Sequence, residues 1–302
     1  MEYRVLGVKL ELIGFDSMGS RGMATIVYTG SQCIFIDPGV SIAPKRYGLP
    51  PHPLELERLQ HHLDRIHRLV MECDILVISH YHRDHYLYRD GEEEYYTGKT
   101  LYIKNPCENI NVSQRIRAYR LLKKMGVEEK AREVVYADNI EHKIDKDLWI
   151  RFSPPQPHGV EGTRLGYVLV TTINIAGIRI VHASDVQGPI STRTRDYLMS
   201  QKPHILIISG PPTYLLGKRL SEEDLGKAVE NLVYIIENTG CLETIVLDHH
   251  LLRDLEYRDR VKEVYRVARE KEKKVITAAE YMGKPVEQLE AHRKELWESS
   301  GE

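Results

Sequence analysis

The chain has 302 residues, a formal net charge of -2 at pH 7, and 42 Lys and Arg against 44 Asp and Glu. Its 42% share of apolar residues is that of a globular protein and argues against disorder, collagen and coiled coil. The near-neutral balance excludes a strongly basic nucleic-acid coat, though not a local basic patch.

In chain order, residues 1–15 alternate and predict a first strand. Residues 24–29 and 33–36 predict a hairpin through a Gly-Ser turn. Leu56, Leu59, Leu63, Ile66 and Val70 recur at helical spacing after prolines suited to a first turn. Residues 74–79 and 100–104 are short apolar runs of the kind that fill buried strands. Residues 113–126 predict a helix closed by Gly126. Residues 166–185 predict a hairpin with Asn and Gly in its turn, and residues 204–210, 244–250 and 274–279 predict three more strands joined by helices. Of these helices, residues 221–240 open on a serine cap with an acidic first turn and end at a glycine. The last helix, residues 285–302, is strongly charged and is expected to be a solvated tail.

Hairpins early and strand–helix alternation later predict an α/β fold of sheet layers covered by helices, in one domain spanning residues 1–302. No apolar run approaches the ~18 residues needed to cross a bilayer, and the start lacks the pattern of a signal peptide. Cys33, Cys73, Cys107 and Cys241 form no CxxC pair and are expected to be reduced, in a cytoplasmic protein. Abundant charged residues with sparse Asn and Gln hint at a thermophilic source.

The chemistry is concentrated in His80-Tyr81-His82-Arg83-Asp84-His85, directly after the strand of residues 74–79. A strand end fixes the first side chain, and the following turn can fold the others around a point. Imidazole nitrogen and carboxylate oxygen are the usual ligands of zinc and related divalent ions.

This HxHxDH pattern resembles the signature of the metallo-β-lactamase superfamily. Further elements of that pattern follow in order: Asp37 after an early strand, His158 in a loop, Asp185 closing a strand, and His249 or His250 at a strand end. The resemblance implies a four-layer αβ/βα sandwich holding two divalent metal ions, zinc foremost, with manganese or iron as alternatives. It implies His80, His82 and His158 at the first metal. Asp84, His85 and the late histidine, with His249 favoured over His250, would bind the second. Asp185 would bridge the two, beside a shared hydroxide, and Asp37 would orient a ligand from behind. Asp84 and Asp185 are thus the candidate catalytic carboxylates. The chain looks most like a largely archaeal family of predicted metal-dependent hydrolases.

Two divalent ions bring four positive charges, and Asp84, Asp185 and a hydroxide remove three, so such a site favours an anionic substrate. The expected reaction is hydrolysis of a phosphoester or phosphodiester. The alternatives are a thioester hydrolase of the glyoxalase II type, an iron-dependent oxidoreductase in the same ligand shell, and a non-catalytic binding module. The partner is expected to be a small anionic substrate or nucleic acid, with no membrane. His61, His62 and His67 are expected to be solvated or half-buried, and His182 could face either way. The basic helix with Arg115, Arg117, Arg120, Lys123 and Lys124 is expected to be mainly a solvated face. In the glycine-rich loop of residues 14–22, Arg21 is a candidate substrate contact. Residues 40–52 and the acidic, tyrosine-rich residues 90–97 are candidate walls of the site.

Overall fold

The computed structural model describes residues 8–301. The part of the first predicted strand at residues 1–7 lies outside the described residues. Among the described residues, six strands form the first sheet, in chain order: β1 (Lys9–Ile13), β2 (Ala24–Tyr28), β3 (Cys33–Ile36), β4 (Ile75–Ile78), β5 (Thr100–Ile103) and β6 (Glu133–Tyr136). β1 to β3 run antiparallel, and β3 to β6 run parallel. The parallel strands are joined by helix α1 (Pro53–Val70) and by α2 (Val112–Tyr119) and α3 (Val127–Lys130). α1 begins where the prolines predict, with His52 and Glu55 forming a reciprocal cap. α2 passes into a π-helical turn at Arg120–Lys124 before the left-handed Gly126 ends it.

The second half follows with β7 (Glu141–Lys143) and β8 (Leu148–Phe152). A short pair, β9 (Gln156–Pro157) and β10 (Tyr167–Val168), precedes β11 (Val170–Ile175), β12 (Ile178–Ala183), β13 (Ile205–Ser209), β14 (Thr244–Asp248) and β15 (Lys274–Ile276). These form a second sheet in the order β15-β14-β13-β12-β11-β8-β7, with β9 and β10 paired apart. The remaining helices are α4 (Thr192–Ser200), α5 (Glu222–Asn238), α6 (Tyr257–Arg260), α7 (Lys262–Glu270), α8 (Ala278–Tyr281) and α9 (Arg293–Ser299). The β11–β12 turn is Ala176-Gly177 alone, because Asn174 stays in its strand opposite Arg179.

Alternation along the strands builds the layers. Ile34, Ile36 and Val77 of the first sheet share a core with Ile150, Ile173, Ile180 and Ile207 of the second. Their neighbours Phe35, Leu76 and Ile78 face outward onto Leu63 and Ile66 of α1 and Ala118 of α2. On the far side, Val181, Leu206 and Ile245 meet Leu232 and Ile235 of α5 and Val264 of α7. Helix, sheet, sheet and helix therefore stack in that order, as the αβ/βα expectation requires. Among the described residues, no helix is long and apolar enough to cross a membrane.

Three expectations are corrected. Cys33 and Cys73 form a disulfide, their Cα atoms 4.5 Å apart, because β3 and the end of the α1 connection lie side by side although 40 residues separate them in sequence. Cys107 and Cys241 are free, and Cys107 is exposed. The C-terminal segment is not simply solvated. Arg293, fully buried, forms a two-pronged ion pair with the equally buried Glu55 and also donates to the Ala43 carbonyl. Breaking a buried pair by removing one partner costs about 3–5 kcal/mol, so this contact ties α9 to the start of α1. Finally, His62 is buried on the inner face of α1, its Nδ1 2.7 Å from Ser20 Oγ.

Burial first, then the charges of His61 and Arg58, push the His62 ring down to about 3 from 6.5. Its folded value lies below its unfolded one, so the unfolded chain takes the proton first as pH falls. Stability is then lost from about pH 6.5 downward, by roughly 2 kcal/mol at pH 5. Chemical denaturation at pH 7.5 and pH 5 should show that His62→Gln removes this loss. Equal losses in the variant and the parent would refute the assignment.

Candidate metal centre

The parallel strands of both sheets deliver their carboxyl ends to one rim, where loops are free to carry chemistry. Asp37 follows β3, His80 to His85 follow β4, His158 follows β9, Asp185 follows β12, and His249 and His250 follow β14. Asp37, His80, His82, Asp84, His85, His158, Asp185, His249 and His250 meet there. Asp37, Asp185 and His249 each take a left-handed backbone, with φ of +49°, +50° and +61°. Such conformations are costly away from glycine and persist where surrounding contacts enforce them. They turn each side chain off its strand end and into the centre. Gly39 makes room for this, since a Cβ there would lie 2.2 Å from the Tyr86 amide nitrogen.

Asp185 is the hub. Its Oδ2 lies 3.1 Å from His80 Nε2, 3.5 Å from His82 Nδ1 and 2.8 Å from His158 Nε2. Its Oδ1 lies 3.3 Å from His85 Nε2 and 3.0 Å from His249 Nε2. Each oxygen of one carboxylate thus faces its own set of imidazoles. Asp84 completes the second set, 3.8 Å from both His85 Nε2 and His249 Nε2. His250 stands further off, its Nδ1 3.9 Å from Asp185 Oδ1.

The donor set fits divalent cations. Ligand atoms of His80, His82, His158 and Asp185 lie within 4.8 Å of one another, as do those of Asp84, His85 and His249. His85 Nε2, Asp185 Oδ1 and His250 Nδ1 are buried without a hydrogen-bond partner, which is costly unless something bonds them. The buried Asp185 and half-buried Asp84 carboxylates, crowded among imidazoles, also call for positive charge. The protonation preferences express this field. Burial and the neighbouring His85 push His80 down to about 3. Burial opposes charge on His85 as well, yet Asp185 and Asp84 hold its affinity for a proton well above the ordinary range.

A second ring of contacts aims the first. Asp37 accepts from the Ser79 amide and hydroxyl and lies 3.0 Å from His85 Nδ1. Ser79 Oγ also reaches His80 Nδ1, Ser184 Oγ reaches His85 Nδ1, and Gln187 reaches His158 Nδ1. Asp16 lies 2.6 Å from His249 Nδ1 and accepts from Arg253 Nε. Burial alone would raise the Asp16 carboxyl, but Arg253 and His249 bring it down to about 2. With the Nδ1 proton directed to Asp16, the lone pair of His249 Nε2 faces the centre beside Asp84 and Asp185.

Sequence reasoning missed Asp16, Ser79, Ser184 and Gln187. The glycine-rich loop of residues 14–22 was the available signal, but it contributes Asp16 to the centre, whereas Arg21 is engaged by Glu290 at 2.5 Å. His182 is buried with Nε2 3.0 Å from the Met23 carbonyl and stands apart from the centre. A cavity of about 590 Å³ opens beside His82, Asp84, His158, Asp185 and His250. Ser41, Ile42 and Pro44 wall it, as expected for residues 40–52, and Tyr88 precedes the second expected wall. Residues 90–97 do not line it. Glu92 turns inward instead to accept from the Tyr88 and Arg89 amides. Of the basic helix, Arg117 alone reaches the cavity.

Asp16→Ala should free the His249 ring and lower affinity for divalent metal by about 10–100-fold, as removal of such orienting partners does. Titration of zinc against a chelator measures this, and parental affinity in the variant would contradict it.

No protein-family model matches the chain. Solved structures share the fold at low identity. The metallo-β-lactamase fold protein YhfI of Bacillus subtilis superimposes with a TM-score of 0.53 at 14% identity, over 89% of this chain and 96% of that one. Unliganded yeast PDE1 gives 0.56 at 12% identity, over 90% and 98%. Zinc-bound PqqB of Methylobacterium extorquens gives 0.50 at 8% identity, over 89% and 97%. The architecture is therefore the metallo-β-lactamase fold. Sequence relatives are archaeal and full-length. A UPF0282 protein of Methanopyrus kandleri is 44% identical over 94% of this chain and 97% of its own. Another, of Aeropyrum pernix, is 44% identical over 96% and 98%, and one of Methanocaldococcus jannaschii is 40% identical over 96% of each. Identity at this level across nearly the whole length places the chain in the UPF0282 family.

Proposed function

We propose that the chain is a metal-dependent hydrolase of a phosphoester or similarly anionic substrate. The observation that carries this is the divided carboxylate of Asp185, with Oδ2 facing His80, His82 and His158 and Oδ1 facing His85 and His249, at the inner end of an arginine-walled cavity. His80, His82 and His158 would hold one ion, Asp84, His85 and His249 a second, with Asp185 between them. Divalent ions bound there would lower the pKa of water towards ~7 and offset negative charge on attacking and leaving oxygens. Imidazole and carboxylate donors suit zinc, and also manganese or iron.

The protein's own groups do the rest. Asp37, Asp16, Ser79 and Gln187 hold the rings at fixed tautomers, so little reorganisation is needed when substrate arrives. Arg21, Arg83, Arg117, Arg219 and Arg253 line the cavity against only Asp84 and Asp185, which favours anionic over neutral esters. That excess of arginine supports a phosphoester ahead of a thioester. His250 lines the cavity with its Nδ1 unpartnered, and it is placed to hydrogen-bond the substrate or its leaving oxygen.

Elemental analysis with bis-p-nitrophenyl phosphate turnover tests the assignment. His82→Ala should lose most bound metal and all hydrolysis, and Asp185→Asn should lower the metal content of the paired site. Unchanged metal in His82→Ala, or full metal content with normal turnover in Asp185→Asn, would sink it. The two adjacent histidines should separate. His249→Ala is expected to lose about one ion per chain. His250→Ala should keep its metal while turnover falls by about 10²–10³-fold, as on removal of one preorganised donor. The opposite pattern would exchange their roles.

A further inference from the structure

The cavity is more cationic than the cleavage of one ester requires, and its arginines divide into two kinds. Arg21 and Arg253 are committed, the first to Glu290 and the second to Asp16. Arg83, Arg117 and Arg219 have no carboxylate partner among the described residues. Arg83 lies over the Tyr88 ring at 5.2 Å, Arg117 donates only to the Tyr81 carbonyl, and Arg219 makes no side-chain bond. They come from three separate places, the loop after β4, helix α2 and the loop before α5, yet all line the cavity that reaches the candidate metal centre. Arg83 and Arg219 are exposed and Arg117 half-buried, whereas His158 and Asp185 are buried, so the free guanidinium groups sit at the outer part and the carboxylate hub at the inner end.

Three arginines without carboxylate partners around one cavity give it a positive field that an entering anion would neutralise. Guanidinium offers several N–H donors in a plane, a geometry matched to phosphate oxygens. The cavity volume of about 590 Å³ suits a molecule of nucleotide size, within the usual range of small-molecule sites. We propose that Arg83, Arg117 and Arg219 form a second anion site. It would hold a non-scissile phosphate of a small substrate whose other phosphoester lies against the metal centre. This rests on the phosphoester reading above and narrows it, since it makes the substrate a molecule with two phosphate groups, in preference to a singly charged diester.

Calorimetric binding to the metal-loaded full chain tests it, with adenosine 3′,5′-bisphosphate and adenosine 5′-monophosphate as probes. The parent should bind the bisphosphate at least about tenfold more tightly, the difference one charge-assisted contact can supply. In Arg117→Gln with Arg219→Gln the preference should shrink to less than about twofold, while Lys218→Gln, which does not line the cavity, should retain it. Metal content and circular dichroism report whether the variants are folded. Should the double variant fold poorly, the parent's preference and its suppression by inorganic phosphate decide the matter. Turnover of bis-p-nitrophenyl phosphate without any preference between the nucleotides overturns the second site and leaves the hydrolase standing. Preference without turnover supports the second site and overturns the hydrolase.

Discussion

One buried carboxylate organises this protein. Asp185 places its two oxygens before two groups of imidazoles drawn from both halves of the fold. A carboxylate can be taken out of water only if its charge is compensated, and neutral rings alone do not do that. The arrangement is therefore stable with cations between the groups, or with protons in their place, and His85 shows how strongly the pocket calls for positive charge. The left-handed backbone at Asp185 is the conformational cost of presenting both oxygens inward.

The rest of the fold serves that arrangement. Two sheets meeting face to face bring parallel strand ends from opposite halves to a single rim, so residues 99 and 233 positions apart in the chain touch there. Behind the rings, Asp37 and Asp16 act in equivalent ways on His85 and His249, each engaging Nδ1 and leaving Nε2 facing the centre. Arg293, paired with the buried Glu55, also donates to the Ala43 and Leu49 carbonyls and so holds the last residues against the loop of residues 40–52 that walls the cavity, while Glu290 engages Arg21. The C-terminal segment so contributes to the shape of the site without lining its chemistry.

Much of this was legible beforehand for physical reasons. His80, His82, Asp84 and His85 are adjacent, so their convergence is local and needs only a strand end and a turn. His158, Asp185 and His249 could be ordered by resemblance, because each closes a short strand or loop of recognisable pattern. The layer order followed from apolar alternation and helical spacing, both local periodicities. What escaped notice was long-range and polar. Asp16 sits 233 residues from His249, and a single acidic residue in a glycine-rich loop carries no periodicity that would point to a partner. The Cys33–Cys73 pair, the inward turn of Glu92 and the burial of Arg293 escaped for the same reason, since charge and cysteine placement in sequence say nothing about which surfaces meet.

The amino-acid sequence by itself determined the class of fold, the strand ends that bear the candidate metal-binding side chains and their donor types, because these depend on residue identity and local pattern. Only the tertiary structure decided which oxygen of Asp185 faces which histidines, which of His249 and His250 is held by Asp16, and which arginines stand unpaired around the cavity. Those are matters of distance between segments far apart in the chain, and distance is set by how two independently patterned sheets pack, which no local pattern encodes.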